Sequence, residues 1–289
     1  MKIALIFNKD RADTTGCYYE RVLKESNLDF KHFTTQSASE IGAGFDLYLR
    51  IDHGDYKYDL PVSFHPAAFL AIDTHLKKPY RKILRQARHY DFVFTAQKEG
   101  AQKLTKALKK KVEWIAHACD PEIHKKLNLK KKYAVGFVGS YGGEGSKRQE
   151  LLLKVKSQFP ASFIGNAPHM QMSKIYSSSK IGINYSLNND INMRMFEILG
   201  CGAMLITNKI EENGFNELFE EGRHVVIYET KEELLTLIDY YLLHREEREK
   251  ITRAGYELAI NQHTYKHRLK KMFEVIRQVD PAKFRQLEL

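Results

Sequence analysis

The chain has 289 residues, 43% of them hydrophobic, and carries a formal net charge of +10. That length suits about two domains of ~100–200 residues, and the apolar content is sufficient for ordinary cores. No window reaches the ~18 uninterrupted apolar residues of a membrane-spanning helix, so an integral membrane helix is excluded and a soluble, cytoplasmic protein is expected.

The three cysteines, Cys17, Cys119 and Cys201, lie far apart without C-x-x-C pairing or histidine ligand spacing. Reduced thiols are predicted rather than a disulfide framework or a structural zinc site, and no metal is expected. The cationic excess is concentrated in Lys77–Arg88, Lys98–Lys111, Lys125–Lys132 and Lys266–Lys271. Such runs suit nucleic acid, an anionic membrane surface or phosphorylated substrates. The plain alternative is solvated helix faces.

Along the chain, Lys2–Phe7 reads as a buried first strand, because its apolar run is too short for a secretory signal. A loop over 9–16 leads to a helix beginning near Cys17. Strands are predicted at 45–51 and 67–72, a helix at 77–88, a strand at 91–95, a helix at 99–108 and a strand at 112–115. After the basic segment 127–132, where the domain boundary is placed, the pattern restarts. Strands at 133–138, 161–164, 181–184, 203–207 and 224–228 alternate with helices from 147, over 193–199, 231–244 and 245–262, and finally 265–279. Short apolar strands alternating with amphipathic helices indicate parallel-sheet α/β domains. The predicted domains are 1–130 and 131–289, both Rossmann-like.

Three places could carry chemistry. In the glycine-rich turn from Gly136 to Arg148, backbone N–H groups and a helix N-terminus can favour an anion, with Gly139 and Gly142 allowing close approach and Lys147 and Arg148 adding charge. The turn is neither a Walker A loop nor a G-x-G-x-x-G fingerprint, and a flexible surface turn is its plain reading. The second place is the segment from Asn188 to Ala203, where Asn192 is the expected N-cap and Gly200 and Gly202 end the helix. Arg194 and Glu197, three apart, share one face; as a pair they would be an ordinary surface ion pair, but helix N-termini at strand carboxyl ends are ligand sites in open α/β sheets. The third is the pair of strand ends Asp52-His53 and Asp73-Thr74-His75, where a histidine can donate to a phosphate or sugar hydroxyl, or be structural.

The order of these segments resembles the family 4 type of glycosyltransferase with the GT-B architecture, and especially its CgeB-like spore-maturation branch. The resemblance covers most of the chain and is strongest from Tyr133 onward. It is carried by Arg194–Thr207, by Asn216-Glu217-Leu218-Phe219 with Gly222, and by the tail ending Thr264-Tyr265. In the first half it is carried by Asp91–Gln97 and Trp114–Pro121. The resemblance implies two Rossmann-like domains facing a cleft, with the last helix (265–279) packing back on the first, acceptor-side domain.

It also implies roles. Glu197 matches the glutamate that holds the donor ribose hydroxyls, and Arg148 or Lys147 matches the basic residue on the donor diphosphate. His75, with Asp73 beside it, matches the histidine that faces the transferred sugar. Thr15 and Gly16, with Asp52 and His53, border the acceptor side. Gly139, Gly142, Arg194, Asn189 and Asp190 complete the donor site. Where the family often has a second glutamate, eight positions before the first, this chain has Asn189 next to Asp190. The implied activity is transfer of a sugar from a nucleotide-diphosphate sugar, a UDP-sugar being favoured, to a carbohydrate, lipid-linked or protein acceptor. It would retain anomeric configuration, use no metal or other cofactor, and involve no nucleic acid, with peripheral contact at an anionic membrane through the basic helices. The alternatives are an epimerase-like enzyme sharing the donor site, a degenerate GT-B binding module, and a basic nucleic-acid-binding protein.

Overall fold

A computed structural model describes residues 1–11 and 13–289, which form two compact units. The first comprises Met1–His117 together with Tyr265–Leu289, and the second Ala118–Thr264. No described helix is long and apolar enough to cross a membrane.

Unit 1 runs β1 (Lys2–Ile6), α1 (Thr15–Lys24), β2 (Asp29–Phe33), β3 (Leu47–Ile51), β4 (Ala67–Ala71), α2 (Lys77–Gln86), β5 (Phe92–Thr95), α3 (Lys98–Leu108) and β6 (Val112–Trp114). The strands form one six-stranded sheet in the order β2-β1-β3-β4-β5-β6, each neighbour pair parallel. Every residue of β3 and β4 is buried, as expected for strands covered on both faces. β3 nevertheless includes Arg50, wholly buried, whose guanidinium reaches Asp59 (2.5 Å), Gln86 (3.1 Å) and Tyr90 (3.3 Å) and lies over the Phe69 ring. Several partners make such a burial tolerable, since a lone buried charge costs far more than a paired one. The last helix, α10 (Tyr265–Val279), belongs to this unit: it packs on α1, where Tyr265 stacks on Tyr18 with ring centroids 4.6 Å apart. Arg268 fastens it by donating from Nε to the carbonyls of Ala116 (2.8 Å) and His117 (3.1 Å).

Unit 2 runs β7 (Tyr133–Val138), α4 (Lys147–Gln158), β8 (Phe163–Gly165), α5 (Met172–Ser177), β9 (Ser179–Asn184), α6 (Met193–Gly200), β10 (Met204–Asn208), α7 (Phe215–Leu218), β11 (Val226–Tyr228), α8 (Lys231–Leu243) and α9 (Arg245–Gln262). Its five strands are also parallel, in the order β11-β10-β9-β7-β8. The chain leaves β7 for β8 on one side and returns to β9 on the other. The topological switch point therefore lies between β7 and β9, where open α/β sheets bind ligands. In unit 1 the equivalent point lies between β1 and β3. Two glycines leave room for close packing in unit 2, one toward a helix and one within the sheet. A Cβ on Gly182 of β9 would stand 2.4 Å from Ile198 of α6, and one on Gly136 of β7 would stand 2.3 Å from the Ser179 hydroxyl.

Candidate functional site

At the unit 2 switch point, Arg194 on α6 spans the ends of both flanking strands. Its Nε donates to the Val138 carbonyl at the end of β7 (3.1 Å), and its Nη1 to Asn184 Oδ1 at the end of β9 (3.3 Å). Asn184 is held in turn by donating Nδ2 to Thr207 Oγ1 on β10 (3.0 Å). Gly139, the residue after β7, has φ +144°, a conformation open to glycine. A Cβ built there would stand 2.6 Å from Arg194 Nη2 and 3.7 Å from Arg148 Nη2, so two guanidinium groups from different elements approach one point. Both lie over the Phe137 ring, with guanidinium carbons 4.6 Å (Arg194) and 5.2 Å (Arg148) from its centroid.

This pair has no counter-charge: among the described residues neither arginine makes an ion pair, and the buried Nε of Arg148 has no hydrogen-bond partner. Burial, and then the nearby Arg194, lower the pKa of Arg148 from its ordinary value. Two half-buried cations facing one glycine form a place where an anion would be stabilised by charge-assisted hydrogen bonds. Lys147, the other candidate, is exposed at the rim, as is Gly142 with φ +94°.

Helix α4 follows the glycine turn, but its first turn is already capped. Ser146 Oγ accepts the Gln149 N–H (3.2 Å), and Gln149 Oε1 accepts the Gly145 N–H (2.7 Å). In the first turn of α4 the Gln149 N–H is thus taken by the cap. At the start of α6, Asn192 occupies the N-cap position but makes no side-chain cap bond, and its Oδ1 is buried without a hydrogen-bond partner. Asn192 is thus the N-cap residue by position, as expected, without the side-chain bond of a cap, and Arg194 lies in the first turn of the same helix.

The loop from β9 to α6 is shaped rather than loose. Asn188 (φ +54°) and Asn189 (φ +56°) take the left-handed conformation that asparagine tolerates. The Asn189 carbonyl accepts from Asn213 Nδ2 (2.7 Å), and the Asp190 carbonyl from the Ser186 hydroxyl (2.6 Å). Glu197, one turn beyond Arg194, is 7% exposed.

In unit 1 the remaining candidates gather along the carboxyl edge of the sheet. Thr15 and Gly16 open α1 after β1, and a Cβ on Gly16 would collide with the Phe7 ring at 2.2 Å. Asp52 is wholly buried and accepts from the N–H of Gly54 (2.9 Å) and of Ile72 (3.1 Å) and from the Tyr56 hydroxyl (3.0 Å). Burial pushes its pKa up against those hydrogen bonds. Its carboxylate ties the ends of β3 and β4 together. His53 follows, with both ring nitrogens buried and without hydrogen-bond partners. Asp73 takes a left-handed conformation (φ +57°) ahead of His75, and Thr74 is locked to Gln97 and to Thr95 (each 2.9 Å between side chains). Among the described residues no three His, Cys, Asp or Glu side chains converge on a possible metal position.

The residues missed in the sequence are Asn184 and Phe137, which hold and underlie the arginines. An asparagine closing the otherwise apolar run Ile181-Gly182-Ile183 was the available signal.

A protein-family model described as "Glycosyl transferase-like" matches residues 121–274. No curated protein sequence matches the chain. Among solved structures, sucrose-phosphate synthase from Thermosynechococcus elongatus is similar at TM-score 0.67 and 11% identity, covering 98% of this chain and 100% of that one. Anabaena Alr3699/HepE in complex with UDP and glucose is similar at TM-score 0.68 and 12% identity, over 96% of this chain and 100% of that one. An α-glucosyltransferase in complex with UDP-glucose and DNA containing an abasic site gives TM-score 0.70 and 9% identity, over 96% of this chain and 99% of that one.

Proposed function

We propose that this chain, which belongs to the glycosyl transferase-like family and has the two Rossmann-like domains of the GT-B fold, moves a sugar from a nucleotide-diphosphate sugar to an acceptor hydroxyl. The single observation that supports this reading is the Arg148–Arg194 pair at Gly139, two cations without a counter-charge at a sheet's switch point. The donor diphosphate would occupy that position, with the start of α6 facing it. When the bond from the anomeric carbon to the phosphate oxygen breaks, its electron pair leaves on the nucleotide diphosphate. Fixed cations and a helix dipole then stabilise the new charge without reorganising. The acceptor oxygen bonds to the anomeric carbon and its proton passes to the departing phosphate.

Glu197 is assigned to the donor ribose hydroxyls, and His75 with Asp73 to the transferred sugar and its phosphate. Asn189 and Asp190 take the sugar side of the donor pocket, and Thr15, Gly16 and His53 the acceptor side. In this proposal Asp52 acts through the loop it fastens. Because the two arginines supply the charge, transfer is proposed to proceed without a metal, and with retention. A UDP-sugar is the proposed donor, in keeping with the UDP and UDP-glucose held by structural neighbours. The finer CgeB-like placement rests on Asp91–Gln97 and Trp114–Pro121.

The test is a thermal-shift screen with UDP, GDP, dTDP, ADP and CMP on the intact chain, Arg148→Met and Glu197→Ala. Selective stabilisation by one nucleoside diphosphate, lost in both variants, is expected. Equal stabilisation of the intact chain and both variants, or none by any nucleotide, would overturn the site.

A further inference from the structure

Glu197 has a neighbour outside the glycine turn and outside α6. Before β7, the segment Asp120–His124 folds back on itself. The Asp120 carbonyl accepts from the N–H of Ile123 (3.1 Å) and of His124 (2.7 Å), and Asp120 Oδ1 from that of Glu122 (2.9 Å). The His124 ring closes the same turn, its Nδ1 accepting the Asp120 N–H at 2.9 Å. A ring nitrogen that accepts a main-chain N–H carries no proton, so in the neutral ring the proton sits on Nε2. The ring is neutral: His124 is fully buried, and burial, with the nearby His169, pushes its pKa down to about 3. Nε2, the proton-bearing atom, lies 3.8 Å from Glu197 Oε1, a charge–dipole contact longer than a hydrogen bond. The separation is set by close packing, since a Cβ on Gly200, one turn beyond Glu197, would stand 3.2 Å from the His124 carbonyl and 3.1 Å from Cys119 Cβ.

We propose that His124 is a positioning residue for Glu197: its Nε2–H, fixed in tautomer and place by the Asp120 turn, orients the Glu197 carboxylate for the donor ribose. The inference rests on the assignment of Glu197 to the ribose made above. A neutral N–H donor suits the task better than a cation. It acts on one carboxylate oxygen while leaving the group its negative charge, so that the carboxylate can still accept from sugar hydroxyls. A protonated ring or a lysine there would draw the carboxylate into an ion pair and compete with the sugar.

The experiment is calorimetric titration of the full chain with UDP and with 2′-deoxy-UDP, in wild type, His124→Phe, His124→Gln, Glu197→Gln and the His124→Phe/Glu197→Gln double variant. Wild type is expected to prefer UDP by about tenfold, the weight of one hydrogen bond to a charged group. His124→Phe should bring that preference to about twofold by weakening UDP alone, with 2′-deoxy-UDP unchanged as proof of an intact fold. His124→Gln, which keeps a donor, should restore most of it, and His124→Phe should add nothing once Glu197→Gln is present. A ribose preference that survives in His124→Phe, or equal weakening of both ligands, would overturn the positioning role while leaving Glu197 on the ribose. A wild type with no preference for ribose would overturn the Glu197 assignment and this one with it.

Discussion

Two guanidinium groups near one glycine repel each other, and the protein keeps them there without a carboxylate between them. That arrangement opposes folding and favours a ligand, so its removal should separate the two effects. Arg148→Met keeps an unbranched aliphatic side chain and deletes the charge. Its Tm is expected to equal or slightly exceed that of the wild type, while affinity for the nucleoside diphosphate falls ten- to a hundredfold, the range for charge-assisted hydrogen bonds. Thermal unfolding and titration on the same samples check both; a large loss of Tm would instead make Arg148 structural. Gly139→Ala works through shape. At φ +144° an alanine costs ~1–3 kcal/mol, and its methyl would displace Arg194 Nη2, so stability and diphosphate affinity should fall together. Gly139 and Arg194 were singled out in the sequence, but Asn184 and Phe137 were not, nor was the choice between Lys147 and Arg148. Neighbours on a helix point about 100° apart, and only the packed structure tells which of them turns inward. Asn192 was legible as the N-cap of α6 but the missing side-chain bond was not, since a cap bond is a matter of side-chain direction; Ser146 makes one at the start of α4 and Asn192 does not.

At the scale of elements, most of the fold was legible because parallel strands buried on both faces are nearly continuous apolar runs. Tyr133–Val138, Arg245–Gln262 and Tyr265–Val279 were bounded in the sequence as they stand in the structure. β2, Asp29-Phe30-Lys31-His32-Phe33, was not read at all. It is an edge strand whose residues are all half-buried or exposed, so no apolar run marks it. The helix expected over 77–88 ends at Gln86 and continues as a 3₁₀ turn, Ala87–His89. Its cations Lys77, Lys78, Arg81, Lys82 and Arg85 are all exposed and fall within about 140° of arc, opposite the buried Ile83, with no acidic residue in the helix. Such a face should bind vesicles rich in anionic lipid, release them at ~0.5 M salt, and fail to bind once Arg81 and Arg85 are changed to glutamate; co-sedimentation checks it. Binding that ignores lipid charge would leave α2 a solvated face. On the other unit, α6 sits where it does because β9 has Gly182. Gly182→Ala brings a methyl against Ile198 and should cost ~1–3 kcal/mol by overpacking, read as a lower urea midpoint. It should also weaken diphosphate binding, since the same helix carries Arg194.

Over the whole molecule, stability should fall on mild acidification, and the histidines give the sign. His32, His89, His224 and His267 have their pKa values lowered mainly by burial, and His124 is taken down to about 3. A histidine whose folded pKa is depressed binds fewer protons in the native state than in the unfolded chain once the pH drops below the unfolded value. Its stabilising contribution is complete above pH 6.5 and is lost progressively toward the folded pKa. Two groups act the other way. His65, exposed and bonded to Asp91, has its pKa raised and gains as the pH falls, but solvent screens it. The buried Asp52 carboxyl, whose pKa is raised, is relieved by protonation only in the carboxylate range. Between pH 7.5 and 5 the four partly buried histidines and His124 therefore dominate, and His124, being fully buried, is the steepest single contributor. Its share between pH 6.5 and 4.5 is ~2–3 kcal/mol, since one pKa unit corresponds to ~1.4 kcal/mol. Urea unfolding of wild type and His124→Phe at pH 7.5, 6.5, 5.5 and 4.5 isolates it. The variant should start less stable at pH 7.5, because the Asp120 turn has lost its acceptor, and should lose less on acidification, so that the two curves converge. Parallel curves would mean that the His124 ring takes up a proton as readily in the folded protein as in the unfolded chain, and a neutral donor could then not be what faces Glu197.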